Sequence, residues 1–202
     1  MRRTTLAGLA GLTLAVALIA LALLVGGAAG GHGKGKGHSN SNASSTHGRI
    51  GFHFLVLNQV VGTSDRVIIQ GDGSFNRNQA SGGGTFDRFT ACPMGTVCPL
   101  VATGTWKAED VVSWTPGATH GVYQGGILVI HATVKPKGQP TIKNVMIEID
   151  CNLGPAAYTT PGNKAEGVIV TVPGTPPVVF APMGTNPPFG LTVFSLTKGH
   201  KH

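Results

Sequence analysis

The chain of 202 residues carries 31 glycines and a formal charge of +7, with fifteen Lys or Arg against eight Asp or Glu. Between residues 49 and 197, however, nine basic residues face eight acidic ones, so the excess sits in the two ends. A domain that tracks a phosphate backbone gathers basic residues on one folded face among stacking aromatics; that pattern is absent here, which argues against a nucleic-acid partner.

Met1-Arg2-Arg3 precedes an uncharged run to Gly31 whose core, residues 6–25, is almost purely apolar. This reads as an export signal, with the small residues Gly27-Ala28-Ala29 placed for a signal peptidase. Twenty helical residues at about 1.5 Å each would also span a bilayer core of ~30 Å, so an uncleaved anchor is the alternative, and the membrane is contacted only through this segment. Either way the following residues are expected to be secreted or to lie on the extracytoplasmic face of the membrane. No cysteine occurs before Cys92, which excludes an N-terminal lipoprotein anchor.

Residues 30–48 are glycine, lysine, histidine, serine and asparagine with almost nothing apolar to bury, so the sequence predicts a disordered linker. Residues 198–202 form a basic His/Lys tail. If the signal is cut after Ala29, the new start Gly30-Gly31-His32 offers an amine, two amide nitrogens and an imidazole, a square-planar set suited to weak copper(II) or nickel(II) binding. His32 is therefore a conditional metal candidate. Its competing reading is a plain solvated tail.

Residues 49–197 suffice for one domain with one core. Helical periodicity is missing there, and runs of strand length recur at 49–57, 67–75, 84–92, 100–107, 110–114, 122–135, 141–153, 167–172 and 191–196. Three of these repeat one phrase: Gly73-Ser74-Phe75, Gly84-Thr85-Phe86 and Gly104-Thr105-Trp106. In a strand, positions i and i+2 share a face, so each glycine lies beside its aromatic and the hydroxyl points away. The polar connection 76–81 predicts a hairpin in which Phe75 covers a cross-strand glycine, Gly82 or Gly84, where the sheet curls. Pro116-Gly117, Pro136-Lys137-Gly138 and Pro161-Gly162-Asn163 read as turns. Residues 173–190, with six prolines, read as a surface loop with a short edge strand near Val178-Val179-Phe180. The fold class expected is all-β: an antiparallel barrel of about eight strands, with a two-sheet sandwich as the alternative. The rhythm of short strands is similar to that of small exported barrels holding one apolar ligand, the lipocalin and avidin-like group, but no diagnostic motif of either is present.

Chemistry-bearing residues are sparse. Glu148 and Asp150 share a strand face and read as a solvated pair facing Lys143 or Lys135, not as a glycosidase dyad across a cleft. No G-x-S-x-G elbow accompanies His53, His120 or His131, and Asp72 lacks the glycine spacing of a calcium loop. No catalytic or cofactor-binding residue is assigned. Two functions follow: a non-enzymatic domain that binds a small apolar ligand or joins a surface assembly, or an isomerase or hydrolase whose pocket draws on separate strands. Convergence of Asp72, Asp87, Glu109, His53 or His131 in one concavity would favour the second.

Three cysteines allow one internal disulfide. Cys92 and Cys98 flank a Pro- and Gly-containing loop and are the preferred pair, while the alternation around Cys151 places it inside as a free thiol; the competing pairing joins Cys151 to either loop cysteine. Peptide mapping of unreduced protein should link the Cys92 and Cys98 peptides, the bridge contributing roughly 2–3 kcal/mol. Recovery of a Cys151-linked peptide would reverse the assignment.

Overall fold

The computed structural model describes residues 49–91, 97–153, 164–183 and 189–196. The expected signal, the linker with His32, Cys92 and the C-terminal tail lie outside them. Among the described residues there is no helix, and nine strands follow one another: β1 (Ile50–Val60), β2 (Arg66–Phe75), β3 (Ala80–Phe89), β4 (Leu100–His120), β5 (Tyr123–Pro136), β6 (Ile142–Cys151), β7 (Gly167–Val172), β8 (Val178–Pro182) and β9 (Gly190–Leu196). Strands β1 to β8 pair in sequence, each antiparallel to the next, and β8 returns to β1. The sheet is thus a closed eight-stranded antiparallel barrel, as the strand pattern predicts, with no sandwich split. Closure removes the exposed edges that an open sheet of this size would present.

The ninth strand explains how the ring closes. Strand β8 pairs with β1 only at residues 58–60, whereas β9 takes the same edge of β1 from Ile50 to Val56 and reaches β5 at the Tyr123–Ser195 pair. Neighbouring β7 pairs with β8 only from Val170 onward, so the carbonyl of Val168 lacks a strand partner on that side. The buried side-chain amide of Asn58 supplies the missing donor at 2.7 Å. At the same fork the Thr192 hydroxyl of β9 donates to the Asp150 carbonyl at 2.7 Å, and the buried Cys151 thiol lies 3.4 Å from the Thr192 carbonyl, to which it donates. Backbone polar groups that leave the ladder are thereby still satisfied inside the barrel.

The repeated glycine-aromatic phrase faces inward as expected: Phe75 and Trp106 are buried, Thr85 and Thr105 exposed. Its register differs from the expectation. Glycine faces glycine across β2 and β3, Gly71 opposite Gly84 and Gly73 opposite Gly82, while Phe75 opposes Ala80. The covering rings come from other strands. Trp106 lies over Gly71, where an added Cβ would meet its Cζ2 at 2.1 Å, and Phe52 lies over Gly73 at 2.5 Å. Phe86 covers Gly104 in the same way. At Gly82, Gly83 and Gly84 an added Cβ would fall 2.2, 2.3 and 1.9 Å from the backbone oxygens of Asp72, Trp106 and Gln70, so the curl of the sheet itself leaves no room.

Two other expectations change. The runs at 100–107 and 110–114 are one strand, β4, which carries extra residues relative to β5 between Ala108 and Val111, Val111 and Ser113, and Pro116 and Thr119. Pro116-Gly117 is a bulge in that strand. Beyond Lys107, β4 has left β3, so its proline occupies an edge where no ladder donor is required. Likewise Val178-Val179-Phe180 belongs to β8, which is no edge strand, because β7 and β1 pair with it on either side. Its flanking prolines fall outside the doubly paired stretch.

Gly71→Ala is expected to destabilise the protein by about 1–3 kcal/mol or more, since neither the indole nor the Gly83 carbonyl, at 2.8 Å, can move without disturbing the sheet. Urea unfolding should register this as a lower midpoint at unchanged slope.

Candidate functional site

Inward-facing side chains fill the barrel unevenly. Towards the Phe75 end, Phe75, Trp114 and Phe194 meet edge to face with centroid distances of 4.9, 5.1 and 5.9 Å and stop the barrel. In the middle, Phe52, Phe54 and Trp106 form a stacked layer. Towards the opposite end the inner face is lined by smaller groups, and a cup of about 440 Å³ remains. Seven strands contribute to it: Val67 and Ile69 from β2, Phe86 and Arg88 from β3, Val101, Ala102 and Trp106 from β4, Val134 and Pro136 from β5, Ile142 and Ile147 from β6, Val170 and Val172 from β7, Val178 and Phe180 from β8. The volume lies within the ~300–1,000 Å³ of ordinary small-molecule sites, and an apolar wall with few polar groups is their usual composition.

Among the described residues, the charged side chains of the cup are Asp65 and Arg88. Arg88 follows Phe86 by two residues and is paired with Val67 across the β2–β3 ladder, so the pleat aims it inward. Asp65 precedes Val67 by the same step. Arg88 Nη2 donates to Asp65 Oδ2 at 2.7 Å, and the Ala91 amide donates to Oδ1 at 3.3 Å. The bond from Arg88 holds the Asp65 carboxyl below its ordinary range. Because both side chains remain partly exposed, the pair fixes geometry more than it adds stability. Arg88 Nε is shielded from solvent and has no hydrogen-bond partner among the described residues. Thr90 and Gln139 are the remaining polar side chains of the wall among the described residues.

The residues singled out for convergence do not converge. His53, Asp72 and Glu109 are exposed on the outer surface, Glu109 accepting a hydrogen bond from Thr133. Asp87 alternates with inward Phe86 and Arg88. His131 Nδ1 lies 3.1 Å from Asp110 Oδ2 on the outside, as the alternation around it predicts. None of them lines the cup, and the described residues contain no group of three metal-ligating side chains. Cys151 is free and buried, burial pushing its thiol up to about 11, which sets aside its pairing with a loop cysteine.

Glu148 and Asp150 depart from the solvated pair expected of them. The partner of Glu148 is Lys164, at 2.5 Å, and not Lys143 or Lys135. Asp150 is only 3% exposed, and burial, followed by the neighbouring Glu148 charge, pushes its carboxyl up to about 7. The sequence shows alternation but not that the residues around Lys164 and Glu166 return over this strand. Glu166 completes the cover by accepting from the amide of Thr192 at 2.9 Å, with its carboxylate also 3.0 Å from the Thr192 hydroxyl.

Asp150 keeps its proton in the fold up to about 7, whereas an unfolded aspartate releases it near ~3.9. Its contribution is therefore full below ~4 and is lost as pH rises through 7. Relative to the native chain, Asp150→Asn should gain stability between about pH 5 and 8, seen as a flatter dependence of the urea midpoint on pH. Parallel curves would place the titration elsewhere.

No family model, no curated protein and no solved structure matches the chain.

Proposed function

We propose that this chain is a non-enzymatic binding protein that holds a small apolar ligand in the open end of its barrel, outside the cytoplasm. The observation that carries the reading is the asymmetry of the interior. One end is stopped by three aromatic rings, while the other keeps a cup of about 440 Å³ walled by Val, Ile, Phe and Trp side chains from seven strands. Apolar surface left in contact with water inside a closed ring costs free energy that an apolar guest would recover, at about 25 cal/mol per Å² covered. The cup is already formed within the closed ring, so little ordering opposes binding. The isomerase or hydrolase alternative draws no support from the polar groups that were its candidates, since these face outward. The extracytoplasmic location rests on the apolar run behind Arg2-Arg3, and the expected Cys92–Cys98 bridge falls in the sequence between β3 and β4.

Phenylnaphthylamine, a neutral apolar probe whose fluorescence rises out of water, should bind saturably with one site per chain. Val172→Trp, which fills the mouth, should weaken that binding at least tenfold while leaving the β-type circular dichroism intact. Unchanged binding by this variant would move the site off the barrel interior.

A further inference from the structure

Resting on the reading of the cup as a ligand site, we infer that its ligand carries a neutral hydrogen-bond acceptor, a carbonyl group, that is recognised by Arg88. An arginine offers five N–H donors. Here one of them, on Nη2, is used by Asp65, and among the described residues no other hydrogen bond is made by this side chain. Nε is shielded from water and so is closed to a guest as well, which leaves the remaining N–H groups of Nη1 and Nη2 as the donors a guest can reach. The pleat holds this side chain on the inner face beside Phe86, so the uncommitted edge of the guanidinium belongs to the wall of the cup.

The charge around it selects the kind of acceptor. Asp65 lies 2.7 Å away and already neutralises the guanidinium, and the other polar wall residues, Thr90 and Gln139, are uncharged. A carboxylate entering the cup would place a second negative charge next to Asp65 with no cation to balance it, inside an apolar cavity where desolvation is costly. A ketone, aldehyde or ester oxygen accepts the same N–H groups without importing charge. A pure hydrocarbon fills the volume and offers the remaining Nη donors no acceptor. Sites built to hydrogen-bond a ligand discriminate strongly against the analogue that lacks the group, because their own donor is then stranded.

Three ligands sharing one bicyclic skeleton separate these cases: acetylnaphthalene, ethylnaphthalene and naphthoate, each measured by displacement of phenylnaphthylamine from the full chain. The ketone should bind about tenfold tighter than the hydrocarbon, as expected for a hydrogen bond from a charged donor, with naphthoate weakest. In the double variant Asp65→Leu, Arg88→Met, which removes both partners and keeps the wall apolar, ketone and hydrocarbon should bind within about twofold of each other while the probe is retained. Arg88→Lys, which preserves a charge opposite Asp65 but loses the planar fork, should reduce the ketone advantage. Equal binding of ketone and hydrocarbon by the native protein, a ketone preference that survives in the double variant, or naphthoate as the tightest ligand would each overturn the inference while leaving the apolar cup in place. Failure of phenylnaphthylamine itself to bind would instead remove the cup as a site, and the inference with it.

Discussion

The structure depends on the approach of backbone to backbone across β2, β3 and β4, which only glycine permits. An eight-stranded ring has an interior just wide enough for its own side chains. In this ring the interior holds six large aromatic side chains that stack or meet edge to face, so some positions on the inner face must carry no side chain at all. Gly71 and Gly73 are those positions: Trp106 lies over the first and Phe52 over the second, with Phe54 stacked between the two rings at 5.6 and 6.4 Å. The indole nitrogen of Trp106 donates to the Gln70 carbonyl at 3.0 Å, which anchors the layer to the strand it covers. The glycine floor and the aromatic layer are therefore one device.

The placement of this layer also decides where the cup is. Large rings occupy the middle and the Phe75 end, while the mouth is lined mainly by Val, Ile and Ala, whose volumes do not meet across the barrel. Strand β9 reinforces the difference. It enters beside β1 only as far as Val56, adds Phe194 to the aromatic stop, and leaves the remaining three pairs of that edge to β8. Strand β8 closes the mouth with short hydrogen-bonded contacts and contributes Val178 and Phe180 as wall, not as filling. The buried polar contacts of Asn58, Thr192 and Cys151 lie where one partner of β1 or β6 gives way to another, so polarity in this core marks the change of partner.

Much of the fold is legible in the sequence because it depends on local periodicity. Alternation alone locates most strands, sends Phe75, Phe86 and Trp106 to one face with Ser74, Thr85 and Thr105 to the other, and places Cys151 inside and His131 outside. What local spacing does not contain is which strand supplies the partner. The rings that cover Gly71 and Gly73 come from β4 and β1, and Lys164, which pairs with Glu148, follows it by sixteen residues along the chain, so the hairpin-level register for Phe75 and the solvated reading of Glu148 and Asp150 both fail for want of tertiary information. Pro116 misleads for a related reason. A proline ends a strand only where its nitrogen would have to donate, and β4 has shed its second neighbour by then.

The candidate site was missed in the sequence although a signal for it was present. In Gly84-Thr85-Phe86-Asp87-Arg88, the same parity that turns Gly84 and Phe86 inward also turns Arg88 inward, and Asp65 stands in phase with Val67 and Ile69. Scanning for acids and histidines instead favours Asp72, Asp87 and Glu109, which have the outward parity. A charge in phase with a buried face is costly unless paired, so its presence is informative about the interior in a way that a charge on the polar face is not. Asp65 meets that cost for one donor of Arg88 and leaves Nε unmatched. The Arg88 side chain lies in the wall where the packing stops and the cavity begins.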